Sequence, residues 1–499
     1  MSEEKTVYEI RLEKLQRMRE LGYDPYKIER FERTHTAHQL IEDFEKLQSD
    51  PVRYAGRIVS IRQMGKAIFM HVNDGSSKFQ IYLKKDDLGE TLWEVAELLD
   101  IGDHLGVSGE LFITKMGEKT IHVREMVPLS KCFHVLPVGK EKDGERWYGV
   151  SDIEYRYRHR HVDLICNPEA RSMLLARMRI ISAVRRYLDN LGYVEAETPY
   201  LQLVAGGAAA KPFLTHYNAY NLDVKLRISI ELYLKRLICG DIPKVYEIGR
   251  VFRNEGVSNR HNPEFTMLEY YEAYANLEDM MENVEGMFRY VTQEVFGTSV
   301  IEREGVILDF SKPWQRVDLL EEIEKHTGVK PEELAELESA RRAMQRLGLP
   351  TEGEDNLGGI IEKILECFVE PHLVQPTFVI RYPVETSPLA KRDPNNPHYT
   401  RRFEGYVCCR EICNAFSELN DPLEQRERFE QQARERARGD EHAHPMDEDF
   451  LFALETGMPP TGGCGIGMDR MAMILTGAES LREVLLFPMM KPEKHEETP

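Results

Sequence analysis

FRNEGVSNRHNPEFTMLEYYEAY, residues 252–274, is the stretch on which the fold of this chain turns. Strand-forming residues lie on both sides, at 245–252 and 264–272, and Pro263 with the polar run Arg260, His261 and Asn262 predicts a loop between them. In a strand, alternation sends Glu264, Thr266, Leu268 and Tyr270 to one face and Phe265, Met267, Glu269 and Tyr271 to the other. Arg253 and Glu255 place opposite charges ahead of the loop, so the stretch offers an anion-binding loop beside a polar pocket floor.

Working outward, residues 171–191 carry an amphipathic helical pattern that stops at Gly192, and the extended segment that follows is closed by Pro199. Further strands are predicted at 225–230 and 376–382, and helices at 231–239 and 277–295. This order suits an α+β fold, a broken-up antiparallel sheet surrounded by helices, better than regular βαβ units. Residues 315–366 read as an acidic helical insertion lying away from the chemistry, and Leu423 to Asp440 as a solvated helix.

Two further motifs belong to the same half. In FEGYVCCREICNAFSELND at 403–421, Glu404 and Glu411 are hard oxygen donors of the kind Mg²⁺ takes beside phosphate. Their separation of seven needs a bend or two strands to bring them together. Asn414, Phe416 and Glu418 share one period-two face, an amide, an aromatic wall and an anion in a row, which fits a pocket for an amphipathic cation as well as a half-exposed strand. PPTGGCGIGMDR at 459–470 combines small residues that permit close backbone approach with Arg470 at a helix start. It matches neither a P-loop nor a dinucleotide-binding fingerprint.

Residues 52–127 change period. VRYAGRIVSIR, AIFMHVND, KFQIYLKK, DHLGVSGELFIT and KTIHVREMV are five strand-like stretches with a turn at Asp74, Gly75 and Ser76, and they fit a small barrel of the oligonucleotide-binding kind. Phe69 and Gln80 are its candidate exposed aromatic and amide, with Phe69 equally suited to the core. Ahead of the barrel, Glu3 to Leu21 reads as a helix whose Arg11, Lys14, Arg17 and Arg19 serve either packing or contact with RNA. Residues 128–151, with Pro137, Gly139, Gly144 and Gly149, read as a linker. RYRHRH at 156–161 faces phosphates in one reading and caps acidic neighbours or a subunit surface in the other.

Composition narrows the class. The chain has 499 residues, 42% hydrophobic and 30% charged, which is ordinary for a folded protein with a sizeable core. Its balance of 65 basic against 85 acidic residues, net −20, opposes non-specific coating of DNA while allowing a local basic surface. Residues 1–30 hold no signal-peptide core and no stretch approaches the length of a membrane span, so a cytoplasmic enzyme with no membrane association is expected. Eight cysteines are too sparse for a secreted disulfide framework, and Cys408, Cys409 and Cys413 lack the complementary pair of a zinc site.

Taken together, these motifs resemble the class II lysyl-tRNA synthetases over nearly the full length of the chain. GYVEAETPYLQ at 192–202 is similar to the first class signature, FRNEG with HNPEFTMLE to the second and GIGMDR at 465–470 to the third, joined by GGAAAKPF at 206–213, ELYLKR at 231–236 and NAFSELND at 414–421. The resemblance implies an antiparallel catalytic domain at 156–499 behind an N-terminal helical extension (1–50), an OB-fold anticodon-binding domain (51–130) and a linker (131–155). It implies ATP-dependent activation of L-lysine, transfer to lysine tRNA and a homodimer with Pro199 of the first signature at its interface. Implied roles are Arg253 and Arg470 as catalytic, with both and Glu255, His261, Asn262 and Phe265 binding ATP. Gly207, Glu231, Glu269, Tyr271, Asn414, Phe416 and Glu418 are implied for lysine, Glu404 and Glu411 for Mg²⁺, and Phe69, Gln80 and Glu125 for the anticodon.

The chain departs from that pattern at Cys408, Cys409, Cys413 and Ala415, where the family often has glycine, at Ile230 in place of proline and at Cys464 in place of leucine. These side chains either narrow the lysine pocket or fill space behind it. Alternatives to lysine charging are a synthetase for aspartate or asparagine, a relative that modifies a translation factor, and an RNA-binding paralogue without activity. Glu418 in its SELND context argues against the first, the retained barrel against the second and the intact charged set against the third.

Overall fold

The computed structural model describes residues 5–493 apart from 49, 139, 143–144, 148, 209, 257, 259–260, 304, 352–355 and 438–445. Arg260 of the loop, Ala209 of the GGAAAKPF motif, Gly139 and Gly144 of the linker and Asp440 therefore lie outside the described residues. The chain divides into two compact units, Met1–Arg156 with His161–Asn167, and Tyr157–Arg160 with Pro168–Pro499.

In the first unit, strands β1 (Val52–Met64), β2 (Ala67–Asn73), β3 (Lys78–Lys84), β4 (His104–Ile113) and β5 (Lys119–Ser130) form a closed barrel in the order β1-β2-β3-β5-β4. Alternation places Ile68, Met70, Val72, Ile81, Leu83, Ile121 and Val123 in its interior, and closure leaves no unpaired edge. The N-terminal helix α1 (Val7–Glu20) is started by a Thr6–Glu9 capping box and stopped at Gly22, whose φ of +89° favours glycine. It buries Leu15 and Met18.

The basic residues of α1 are used by the protein itself. Arg11 donates to the Cys132 and His134 carbonyls, Lys14 pairs with Asp100 at 2.7 Å and Arg17 with Glu94 at 2.7 Å, while Arg19 reaches Asp24 at 3.2 Å. The packing reading of α1 accounts for all four. Part of the expected linker is regular: Lys140–Lys142 and Glu145–Trp147 pair as a two-stranded ribbon. Lys131 is buried between Asp100 and Asp103.

The second unit is built on one eight-stranded sheet. Helix α2 (Pro168–Asn190) precedes β6 (Val194–Glu195); helix α3 (Glu231–Cys239) precedes β7 (Lys244–Phe252) and β8 (Glu264–Ala273); helix α4 (Leu277–Phe296) follows. Next come β9 (Gln315–Asp318), helices α5 (Leu319–Thr327), α6 (Leu337–Arg346) and α7 (Leu357–Ile364), then β10 (Thr377–Ile380), β11 (Arg402–Val407), β12 (Arg410–Ser417), β13 (Thr461–Gly467) and helix α8 (Met468–Thr476). The order is β9-β10-β11-β12-β13-β8-β7-β6, antiparallel except for β9 with β10 and β7 with β6. Helix α4 starts at an Asn276–Asp279 capping box and lays Met280, Val284, Met287, Phe288 and Val291 into the core beneath the sheet, alongside Ile180 and Val184 of α2.

Two expectations are corrected and one open reading is narrowed. The strand predicted at 225–230 is Leu222–Leu226, because beyond it Arg227 turns inward, fully buried, onto Glu247 at 2.6 Å and onto Thr198. Residues 315–366 are not wholly helical, since Gln315–Asp318 is an edge strand of the eight-stranded sheet, and their Glu362 lines the cavity described below. In the run at 156–161, Arg160 is 1% exposed and donates to the carbonyls of Arg482, Leu485 and Leu486, and Arg156 pairs with Asp163, so these two arginines follow the reading in which the run serves the protein's own groups.

Candidate active site

Of the two β8 faces that alternation separates, one lines a pocket. Phe265, Met267, Glu269 and Tyr271 border a cavity of about 360 Å³, while Leu268 and Tyr270 point into the core. Strand β13 lies between β8 and β12, with Gly465 opposite both Glu269 and Asn414 and Gly463 opposite both Tyr271 and Phe416. The glycines are required by space: a Cβ on Gly463 would collide with Glu418 Oε1 and the Tyr271 ring, and one on Gly465 with the Glu269 carboxylate. The floor is therefore backbone, walled by the side chains of two neighbouring strands.

One end of the cavity is acidic and dry. Glu269 is 5% and Glu418 1% exposed, Glu231 at the start of α3 is buried, and the Tyr271 hydroxyl donates to Glu269 at 2.9 Å. Burial, then the neighbouring Glu231 charge, pushes the Glu269 carboxyl up to about 8. Burial does the same to Glu418, up to about 8, against the pull of Lys235. Glu418 Oε1 has no hydrogen-bond partner. The Phe416 ring supplies the apolar wall beside it.

The other end is cationic. Arg253 closes β7, its guanidinium 5.1 Å from the centre of the Phe265 ring, and Arg470 donates to the Glu411 carbonyl and carboxylate, each at 2.8 Å. Burial draws the Arg253 guanidinium below its usual range, opposed by Glu255 and Glu411. The start of α8 is pinned to β8 by Asp469, which accepts from the Thr266 N–H at 2.9 Å and pairs with Arg177, so Arg470 projects from a fixed turn. His261 and Asn262 of the loop line the same cavity, as does Gly207, whose φ of +84° favours glycine.

Glu404 and Glu411 come together as one of the sequence alternatives required, on neighbouring strands β11 and β12, and both border an adjoining cavity of about 580 Å³ that shares His261, Glu411 and Arg470 with the first. The Glu404 oxygens are already engaged, by Arg402 at 2.5 Å and by the Tyr382 and Tyr406 hydroxyls at 2.7 and 2.6 Å. Among the described residues, no group of three or more His, Cys, Asp or Glu is placed to hold a metal alone. The donor set fits a cation that brings phosphate and water as its other ligands. Glu255 lines neither cavity and is exposed.

Sequence reasoning missed several groups. Arg402 is buried and donates to Asn414 Oδ1 at 3.1 Å, which turns the Asn414 NH₂ toward the cavity. Lys235 is fully buried behind Glu231 and Glu418. The ELYLKR motif contains Lys235, but nothing in its spacing says that the side chain points inward.

The cysteine departures separate by place. Cys413 and Cys464 are each 1% exposed; both belong to the core beneath the sheet and touch the cavity, and Gly405 opposite Cys413 leaves room for its sulfur. Cys408 and Cys409 form the two-residue turn between β11 and β12, at φ of +51° and +58°.

On the barrel, Phe69 of β2 is half-buried on the outer face with its ring 4.8 Å from Tyr82, beside Phe112 and His122. Gln80 of β3 accepts from the Thr120 hydroxyl at 2.7 Å and donates to Glu118 at 2.6 Å, and Glu118 also bonds His71. Phe69 and Gln80 thus share one face. Glu125 does not join them: it is exposed and pairs with Ser108, five residues along β5 from Thr120, about 16 Å at strand rise. The carboxylate beside Gln80 is that of Glu118.

Comparison with known proteins agrees with this geometry. Residues 152–491 match the family of class II tRNA synthetases (D, K and N), and residues 52–129 match the OB-fold nucleic-acid-binding domain. The chain is 50% identical to a lysine–tRNA ligase of Moorella thermoacetica over 485 residues, covering 97% of this chain and 98% of that one. It is 50% identical to that of Thermoanaerobacter pseudethanolicus over 484 residues (97% and 96%) and 46% identical to that of Clostridium perfringens over 493 (97% and 96%). With a matching catalytic sheet, a matching barrel and relatives of this identity along almost its whole length, the chain belongs to the lysine–tRNA ligase family of class II tRNA synthetases.

Proposed function

We propose that this chain activates L-lysine with ATP and transfers it to the 3′ end of lysine tRNA. The observation that carries the reading is the polarity of one cavity: a buried anionic end at Glu418, Glu269 and Glu231, and a cationic end at Arg253 and Arg470. An extended amino acid with an ammonium at its far end spans such a cavity. Its methylenes lie against Phe416, its distal ammonium meets the free Glu418 oxygen and Tyr271, and its carboxylate faces Asn414 and Arg253. Glu231 and Gly207 take the α-amino group, and Glu269 adds a second anion.

No side-chain nucleophile is needed. The lysine carboxylate attacks the α-phosphorus of ATP, forming the mixed anhydride lysyl-adenylate and releasing pyrophosphate. Arg253 and Arg470 stabilise the charge that develops on the phosphoryl oxygens. Phe265 stacks on adenine, and His261 and Asn262 hold the nucleotide. The 3′ hydroxyl of the tRNA then attacks the activated carbonyl and AMP leaves. Mg²⁺ that arrives with ATP would be held at Glu411, with Glu404 behind it, and would supply neutralisation of phosphate charge.

Phe69 stacks an anticodon base and Gln80, held by Glu118 and Thr120, reads a base edge. The exposed apolar residues Tyr200, Leu201, Leu203, Leu214, Tyr217 and Tyr220 support pairing with a second copy through the region of the first signature. No described helix is long and apolar enough to cross a membrane. The test is ATP–pyrophosphate exchange against each standard amino acid, followed by charging of lysine tRNA. Selective exchange with lysine and formation of lysyl-tRNA is expected; tRNA binding without any exchange would overturn the reading in favour of an inactive RNA-binding protein.

A further inference from the structure

Lys235 is fully buried on α3, one turn after Glu231, and does not line the cavity. Its ammonium lies 2.5 Å from Glu231 Oε1, pairs with Glu418 Oε2, and has the rings of Tyr271, Phe416 and Phe450 at 5.9, 6.0 and 6.0 Å. An ammonium removed from water persists only against carboxylates. Burial alone would strip its proton, but Glu231 and Glu418 outweigh burial and hold its pKa above the usual lysine range.

The groups facing Glu418 are Lys235 and Glu231 from α3 and Glu269 and Tyr271 from β8. When ionised, the three carboxylates against one internal ammonium leave two negative charges. Lysine brings one ammonium at each end. Glu418 Oε2 forms an ion pair with Lys235, and Oε1 has no hydrogen-bond partner.

We propose that Lys235 is a positioning residue for the choice of amino acid: by binding Glu231 and Glu418 at once it fixes both carboxylates and sets the charge of the pocket to match two substrate ammonium groups. This rests on the lysine reading above. Lys235 opposes the effect of burial on Glu418, so without it that carboxyl ionises only at higher pH, and ammonium recognition moves with it.

The experiment is lysine-dependent ATP–pyrophosphate exchange on the full-length protein from pH 6 to 9, comparing the parent chain with Lys235→Met and Lys235→Gln. Glutamine, one bond shorter than lysine, keeps an N–H donor but not the charge. The expected result for both variants is a lysine KM raised about tenfold or more at pH 7.5, with the pH at which lysine KM improves displaced upward by about one unit. ATP KM and maximal exchange rate should stay within about twofold. A lysine KM and pH profile like the parent's in the glutamine variant would overturn the proposal. So would equal losses for lysine and ATP with an unmoved pH profile, or failure of both variants to fold, since each would assign Lys235 to the core alone. A parent chain that does not activate lysine breaks the functional reading itself, which separates the two failures.

Discussion

The outer face of the barrel and the cavity of the sheet both combine an aromatic ring with hydrogen-bonding groups, yet they are built oppositely. Phe69 and its neighbours Tyr82 and His122 lie half-buried on three strands that are adjacent in the sheet. Their carboxylate, Glu118, stays near water and is matched by Gln80 and His71. In the cavity, Glu269 and Glu418 are sealed from water on strands and loops distant in sequence, with more acid than base around them. A base can be stacked by a surface that water also reaches, because ring overlap needs no charge. Telling one amino acid from another by a single ammonium needs a desolvated anion, and the protein accepts the cost of holding it.

The comparison breaks first at Glu418. Glu418→Gln keeps the volume and removes the charge, so lysine kcat/KM in ATP–pyrophosphate exchange should fall about 10²-fold or more, as for loss of a buried charge-assisted hydrogen bond worth roughly 3 kcal/mol. Binding of the anticodon arm should not change; parent-like lysine kinetics would remove Glu418 from recognition.

Phe69→Ala tests the other region. Loss of one base stack, about 1–3 kcal/mol, should lower tRNA charging by roughly 10-fold or more while leaving tRNA-free exchange intact. An equal loss in both assays would reject the anticodon role.

A smaller effect sharpens the contrast in desolvation. Glu269 and Glu418 are pushed up to about 8 in the folded protein, well above an unfolded glutamate, so the native state holds protons that the unfolded chain has released. Their contribution to stability is full below the unfolded pKa and is lost as pH rises toward 8. The melting temperature of the empty protein should therefore carry a downward component from pH 6 to 8.5, and added lysine should raise it more at pH 8.5 than at pH 6. Thermal scans with and without lysine check this, and a lysine shift independent of pH would contradict it.

The smallest effect concerns the turn that carries the two carboxylates of β11 and β12. Cys408 and Cys409 occupy left-handed backbone, where a side chain costs about 1 kcal/mol relative to glycine. Cys408→Gly and Cys409→Gly should each raise the melting temperature by about 2–3 °C, with lysine KM unchanged. A loss of stability would show that contacts of the sulfurs outweigh the backbone strain.

Periodicity made most of this legible in the sequence. Alternation grouped 265, 267, 269 and 271, and 414, 416 and 418, onto shared faces without saying which of them line a cavity, and five short runs between 52 and 127 located the barrel. What escaped depends on partners far away in the chain. Lys235 looks like an ordinary helix lysine until the end of β12 is brought over it. Arg402 acquires meaning only opposite Asn414, and Gln315–Asp318 becomes a strand only because Thr377–Ile380 offers it an edge. Resemblance implied Glu125 as a partner of Phe69 and Gln80 in reading bases, whereas the carboxylate that reaches Gln80 is that of Glu118, which folds back from the turn. The basic run at 156–161 illustrates the same limit: charge density alone does not say whether an arginine meets phosphate or the carbonyls of its own chain.

The position of β13 has a consequence for how the molecule is made. This strand lies in the middle of the sheet yet comes from Thr461–Gly467, about 330 residues after the barrel ends at Ser130. At roughly 5–20 residues per second of synthesis, the barrel is available to close on the order of 15–65 s before the strand that joins the two walls of the cavity leaves the ribosome. During that interval a nascent chain has the face on which a base would stack, and not yet the floor on which lysine would be recognised.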